Sequence, residues 1–212
     1  MRTVRLRIWV KRMETKQQIR KRHLQNRNEL SAEKRAFRSS QICNHLKNYI
    51  TEMQNFKTCG IYGYYPHGSE VSLLELFAWL LAQEIVLAFP KVLGDKMEFY
   101  RVTSMADFCP GAFGIMEPKE GCKEADAVHA VCLVPGSVFD RSGNRYGYGK
   151  GYYDRYFSEK KGLYRIGAAF ESQVEARIPS EQCDVKMHAL VTEQRITFFD
   201  KWEGQNGVIG NL

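Results

Sequence analysis

Residues 58–90 read TCGIYGYYPHGSEVSLLELFAWLLAQEIVLAFP, and the order of segments within them decides the fold class. Residues 58–65 are β-branched and aromatic, as strands are. Ser72, Leu73, Leu74 and Glu75 have the form of a capping box that opens an apolar helix running through Ala82. Residues 84–89 then run apolar into Pro90. A strand, a helix and a second strand at this spacing predict a parallel βαβ unit, whose strands are buried on both faces and so lack strict alternation with polar residues.

Toward the C-terminus, residues 96–102 predict an edge strand, and residues 107–121 a long surface loop bearing Gly and Pro. Long loops in compact domains often carry function. Residues 127–134 form another apolar run, broken by Pro135 and Gly136, and residues 164–170 a further one. Residues 189–192 and 195–199 add short strands. Toward the N-terminus, residues 15–30 are rich in helix formers, and Ser31 is placed to cap a second helix reaching about Gln54. In that helix Ile42, Leu46, Tyr49, Ile50 and Met53 share one apolar stripe. The whole pattern predicts an α/β fold, a three-layer α/β/α sandwich around a mostly parallel sheet. Ligands of such sheets sit at the carboxyl ends of strands, which directs attention to the residues just after Tyr65, Val134 and Phe170.

The net charge of +7 is unevenly placed. Residues 1–40 hold 13 Lys and Arg against 3 Glu, whereas residues 41–212 hold 18 against 21 acids. The basic N-terminal helix reads either as a phosphate-facing surface or as a solvated face; with a slightly acidic body, no nucleic-acid partner is expected. The longest apolar stretch, residues 76–82, is far short of the roughly 20 residues a spanning helix needs, so no membrane partner is expected. Cysteines 43, 59, 109, 122, 132 and 183 include no C-x-x-C pair and no histidine at zinc-ligand spacing, which fits reduced thiols and a cytoplasmic location. Residues 1–12 are basic and aperiodic and read as a frayed extension, with a mitochondrial-type presequence as the alternative; residues 13–212 read as one domain.

The chemistry concentrates in residues 135–155, PGSVFDRSGNRYGYGKGYYDR. Gly147, Gly149 and Gly151 alternate with larger residues, so successive backbone amides can face an anion. Arg145, Lys150 and Arg155 add cations, and Tyr152, Tyr153 and Asp154 open a helix whose positive end faces the same place. A Walker A loop would need Gly at 144 and Ser or Thr at 151, where Asn144 and Gly151 stand. A dinucleotide G-x-G-x-x-G fails as well, ending on Tyr152 or Asp154. The block is either another form of phosphate cradle or a hairpin whose glycines only make turns.

The pattern P-G-x-x-F-D-x-x-G-x-R-x-G-x-G-x-G-Y-Y-D-R resembles the signature of the 5-formyltetrahydrofolate cyclo-ligase family, also called methenyltetrahydrofolate synthetases, and matches it without a gap. Shorter matches lie at Lys16 to Arg20, Tyr65-Pro66, Glu70-Val71, Phe89-Pro90, Asp184 and Val191-Thr192-Glu193, so the resemblance covers about residues 14–195. It implies conversion of 5-formyltetrahydrofolate and ATP to 5,10-methenyltetrahydrofolate, ADP and phosphate, with ATP as co-substrate and Mg2+ as metal. A monomer is expected. By the same resemblance Lys16 and Arg20 approach the nucleotide phosphates. Residues 145–153, Arg145, Tyr146, Gly147, Tyr148, Gly149, Lys150, Gly151, Tyr152 and Tyr153, form the ATP loop. Lys150, Arg145 and Asp154 are the catalytic candidates, and Asp154 and Asp184 hold magnesium. Tyr65 and Glu70 contact the folate, together with Tyr148, Gly149, Lys150, Gly151 and Tyr152.

Each assignment has a plainer counterpart. Lys16 and Arg20 suit a solvated face, Asp154 a helix cap, Asp184 a pair with Lys186, and Tyr62, Tyr64 and Phe89 the core. His67, His129 and His188 receive no catalytic role. Two rival functions share the pattern: an isomerase or acyl-CoA transferase on a similar sandwich, which needs no ATP hydrolysis, and a binding module for phosphate-rich ligands, whose affinity falls steeply with salt. A chain beginning at Met13 is expected to fold and act as the full chain does; loss of either property in a side-by-side purification overturns that boundary.

Overall fold

The computed structural model describes residues 14–53, 59–125 and 130–200. The proposed extension 1–12, His129 and the outer ends of three expected elements, at Gln54, Thr58 and residues 127–129, lie outside the described residues. In chain order the elements are α1 (Lys16–Asn28), α2 (Ala32–Glu52), β1 (Gly60–Tyr62), α3 (Leu74–Ala82), β2 (Leu87–Leu93), β3 (Lys96–Val102), β4 (Phe108–Pro110) and β5 (Met116–Pro118). They continue with β6 (Ala130–Val134), β7 (Val138–Asp140), β8 (Arg145–Tyr146), α4 (Tyr152–Glu159), β9 (Leu163–Ala168), β10 (Val174–Glu175), β11 (Ala189–Val191) and β12 (Ile196–Phe198).

Seven strands form the central sheet in the order β12-β11-β9-β6-β1-β2-β3. The inner five are parallel, and β3 and β12 are antiparallel edges, which bears out the mostly parallel sheet and the edge strand at 96–102. Alternate residues feed opposite faces. Ile61, Val131, Leu133 and Ile166 pack with α2 and α3, whereas Tyr62, Cys132, Val134 and Leu190 pack with Tyr156 and Phe157 of α4. Both faces are covered, so these strands contain no polar alternation.

Thr15 and Gln18 form a reciprocal capping box at α1, and Ser31 caps α2. The stripe Ile42, Leu46, Tyr49, Ile50 and Met53 is buried as the periodicity predicts. The capping box at Ser72 does not form. The Ser72 amide donates to Ser39 Oγ (3.1 Å), its carbonyl accepts from Cys43 Sγ (3.6 Å), and Glu75 pairs with Lys47 (2.7 Å). Those ties to α2 take up the groups a cap would use, and α3 starts after Leu73 without a side-chain cap. The expected loop 107–121 contains the ribbon β4-β5, anchored by buried Phe108 and Glu117. Strand β2 continues through Pro90 to Leu93; Pro90 lies beyond Leu87 and Ala88, the positions paired with β1, so its missing N–H costs no ladder bond there.

A smaller sheet, β10-β7-β8, lies beside the central one. Its β7-β8 turn is held by Asp140, whose carboxylate accepts from the Ser142, Asn144 and Ile178 amides and from Asn144 Nδ2. The hairpin in the 135–155 block is therefore made by residues 140–145, and the glycines at 147, 149 and 151 come after it. Gly63, at the end of β1, faces the rings of Phe77 and Phe89 so closely that a Cβ would lie 2.6 Å from Phe77 Cζ. Gly63→Ala is expected to destabilise the protein by about 1–3 kcal/mol, read as a lower midpoint in denaturant unfolding.

Candidate functional site

The carboxyl ends of β1, β2 and β6 open into a cavity of about 960 Å³. The segments leaving β1 and β6 line it, as the strand-end rule predicts. The segment after Phe170 does not. Gln173 instead donates to the Gly136 and Ser137 carbonyls (2.9 and 3.0 Å) and braces the turn after β6 from behind.

Residues far apart in sequence meet at this cavity. Lys16 and Arg20 reach it from α1, Tyr65 and Glu70 from the segment after β1, and Asp184 from the segment before β11. Gly147, Tyr148, Gly149, Lys150, Gly151, Tyr152, Tyr153, Asp154 and Arg145 complete that set. Tyr146 alone of the expected residues is not on the wall. It is buried, its hydroxyl donates to the Pro179 carbonyl, and the Lys16 ammonium and Arg20 guanidinium lie 5.4 and 5.2 Å from its ring centroid. Tyr146 is thus a platform under the two cations.

The glycine loop passes between the two ends of the cavity. Gly149 and Gly151 have φ of 91° and 70°, a region in which a side chain is strained, whereas Gly147 is outside it. Gly151 caps α4 without a side-chain bond. Among the described residues, the amides of residues 147–154 donate to no protein acceptor. Free amides at a helix start form a seat for an anion. Lys150 is exposed, makes no ion pair among the described residues, and lies 5.9 Å over the Phe113 ring. Arg155, expected to face the anion, donates to the Lys150 and Asp95 carbonyls (both 2.9 Å) and so fixes the loop instead.

Arg145 is buried and spent on structure. It donates to the Pro135 carbonyl (3.2 Å) and to both oxygens of Asp154 (3.3 and 3.2 Å), while its Nε has no partner. Asp154 Oδ1 also accepts the Val185 amide at 3.3 Å. Asp184 pairs with Lys16 at 2.8 Å rather than with Lys186, and Lys16 also meets Glu181 at 2.9 Å. Burial works against ionising Asp184, but the Lys16 bond, the Glu181 amide and the charges of Lys16 and Arg145 hold its carboxyl below the usual range.

Of the two expected magnesium ligands, Asp184 lies in a cluster of possible donor atoms, whereas Asp154 is outside that cluster and its oxygens accept from Arg145 and the Val185 amide. Ligand atoms of Glu181, Cys183 and Asp184 lie within 4.8 Å of one another, and Asp184 Oδ1 has no hydrogen-bond partner among the described residues. Hard carboxylate oxygens suit this ion and the Cys183 thiol does not. Glu181 escaped sequence reasoning because nothing local distinguishes it from a solvated acid.

At the other end, Glu70 is buried. Burial pushes its carboxyl up, against the Tyr148 hydroxyl, the His67 amide and the Arg27 charge. Tyr65, Met97, Phe113 and Met116 give this end an apolar, aromatic lining. Phe113, at φ 58°, sits in the 107–121 segment that the sequence marked only as a long loop.

Fold and site together define a three-layer α/β protein with a cleft suited to a ligand that is anionic at one end and flat and apolar at the other. Residues 12–193 match the model of the 5-formyltetrahydrofolate cyclo-ligase family, and the chain belongs to that family. Relatives include a probable 5-formyltetrahydrofolate cyclo-ligase of Schizosaccharomyces pombe, 30% identical over 50% of this chain and 61% of that one. Another is the 5-formyltetrahydrofolate cyclo-ligase of Saccharomyces cerevisiae, 36% identical over 44% of this chain and 49% of that one. The chain thus spans about half to three fifths of the length of these two relatives. The NMR structure of Aquifex aeolicus 5,10-methenyltetrahydrofolate synthetase is similar at a TM-score of 0.75 and 37% identity, covering 90% of this chain and 94% of that chain. None of the helices among the described residues is long and apolar enough to cross a membrane.

His188 lies away from the cavity, stacked on Tyr164 with centroids 4.9 Å apart, and its Nδ1 accepts the Arg165 amide at 2.9 Å. Burial and the Arg165 guanidinium push it down to about 4. An unfolded histidine titrates near 6.5, so its contribution to stability is full above about pH 6.5 and is lost as pH falls toward 4. Thermal melts of the wild type should show this loss over that window, and His188→Gln should flatten it; an unchanged slope overturns the assignment.

Proposed function

We propose that this protein catalyses the ATP- and magnesium-dependent conversion of 5-formyltetrahydrofolate to 5,10-methenyltetrahydrofolate, ADP and phosphate. The observation that carries the reading is the run of amides at 147–154 without protein acceptors, set between cationic side chains and an aromatic lining. Family membership supplies the substrate class.

A formamide carbonyl is a poor electrophile and must be activated. The formyl oxygen attacks the γ-phosphorus of ATP, ADP departs, and the formyl carbon becomes part of an iminium-like phosphate. The neighbouring 10-nitrogen adds to that carbon and gives up its proton. Phosphate then leaves with the former formyl oxygen, and the ring is closed.

Such a transfer asks the protein for positioning and charge neutralisation more than for covalent help. In this reading Lys16 and Arg20 take the nucleotide phosphates, the loop amides cradle them, and Lys150 follows the transferring group. Arg145 orients Asp154. Asp154, and Asp184 with Glu181 beside it, would hold magnesium, which offsets phosphate charge when bound. Tyr65 and Glu70 receive the pterin, whose ring donors suit a carboxylate. The substrate's amine is the nucleophile, so no dedicated base is required. A monomer acting on a small molecule in the cytoplasm belongs to the same reading.

Incubation with 5-formyltetrahydrofolate, ATP and magnesium is expected to yield the methenyl product, followed by its near-ultraviolet absorbance; no product with or without metal overturns the proposal. Lys150→Ala should cut turnover by about two orders of magnitude or more, as the loss of one transition-state cation costs ~3 kcal/mol, and near-normal turnover would remove Lys150 from the mechanism.

A further inference from the structure

We propose that Arg27 is a positioning residue that acts through Tyr148 to hold the Glu70 carboxylate in one orientation toward the cavity. The inference rests on the folate-facing role of Glu70 in the proposed function. Arg27 lies on α1, two turns beyond Arg20, and is 4% exposed. It does not line the cavity and meets no carboxylate at ion-pair distance among the described residues. A buried guanidinium without a counter-ion is costly unless its donors are satisfied.

Its donors go to three separate segments around the cavity, of which Tyr148 is on the wall. Nε donates to Ser69 Oγ at 2.9 Å, beside Glu70. Nη1 donates to the Gly136 carbonyl at 3.3 Å, in the turn after β6, and to the Tyr148 hydroxyl at 2.9 Å, in the glycine loop. Chemistry then sets the direction of the next bond. A guanidinium can only donate, so the Tyr148 oxygen accepts from Arg27 and its own proton is left for Glu70 Oε1. Glu70 Oε2 accepts the His67 amide at 2.8 Å, and the carboxylate is held at both oxygens.

The groups that face Glu70 are Arg27 from α1, His67 from its own segment, Tyr64 after β1, Tyr148 from the glycine loop and Tyr153 from α4. Burial raises its carboxyl, and the Tyr148 bond and the Arg27 charge oppose that rise. Loss of either should therefore move Glu70 further up. The relay also couples the two ends of the cavity, because Tyr148 belongs to the same loop as the free amides.

Two variants test this. Arg27→Gln keeps donors but loses the charge, and Tyr148→Phe breaks the relay at a residue exposed enough to spare the fold. The carboxyl titration of Glu70, read by carbon-13 NMR and assigned with Glu70→Gln, should move to higher pH in both. Arg27→Gln should raise KM for 5-formyltetrahydrofolate about tenfold, the size of a lost charge-assisted bond, with KM for ATP and kcat within about twofold. The double variant should be no worse than the worse single one. An unmoved Glu70 titration in both variants, or additive losses, overturns the proposal. Should Arg27→Gln fail to fold, the Tyr148→Phe titration decides alone. Should the wild type form no methenyl product, the proposed function falls, while the Glu70 titration still decides the positioning role.

Discussion

Arg145 and Asp154 hold each other across the base of the cavity, and the geometry of the site depends on that pair. The guanidinium is 5% exposed and reaches the Pro135 carbonyl as well as both Asp154 oxygens; Asp154 in turn accepts the Val185 amide. The end of β8, the first turn of α4, the turn after β6 and the approach to β11 are joined at one point. Removing Asp154 would leave the buried Arg145 charge without its counter-ion, a costly arrangement. Both ends of the glycine loop are pinned here, and among the described residues its amides donate to no protein acceptor. They stay available for a ligand.

The same logic extends outward from the pair. Asp140 fixes the β7-β8 turn that delivers Arg145, and Gln173 braces the turn that receives it. Helix α1 docks by an unusual stripe, Ile19, His23 and Arg27, of which only the first is apolar. Its neighbours Lys16 and Arg20 rest against the Tyr146 ring and lean into the cavity, where Lys16 meets two carboxylates. A basic helix that looks like a solvated face is therefore one wall of the site. Burial raises the cost of each charge and is answered by a partner chosen from a distant segment.

Residues 58–90 made the α/β class legible because strands buried on both faces and an amphipathic helix have different periods, and period is a local property. The stripe of α2 was legible for the same reason. Within residues 135–155 the glycine spacing and the charges were read, without any knowledge of tertiary contacts, as either a phosphate cradle or a hairpin whose glycines only make turns. The Ser72 box failed because a capping box describes only four residues, whereas the Ser72 amide found Ser39 on another helix. Tyr146 lies beneath the wall, and Arg155, although on it, gives two of its donors to loop carbonyls, since a motif fixes composition and not the direction of each side chain.

Sequence alone determined the layer order, the core stripe and the glycine loop whose amides border the cavity, all of which rest on neighbours a few residues apart. Tertiary structure decided which charges pair. Lys16 meets Asp184 across 168 residues, and Glu181 joins that pair only because its loop arrives beside α1; the Arg27 guanidinium finds the Tyr148 hydroxyl across 121. Long charged side chains select partners by proximity and desolvation in the folded state, and one-dimensional spacing carries no record of either.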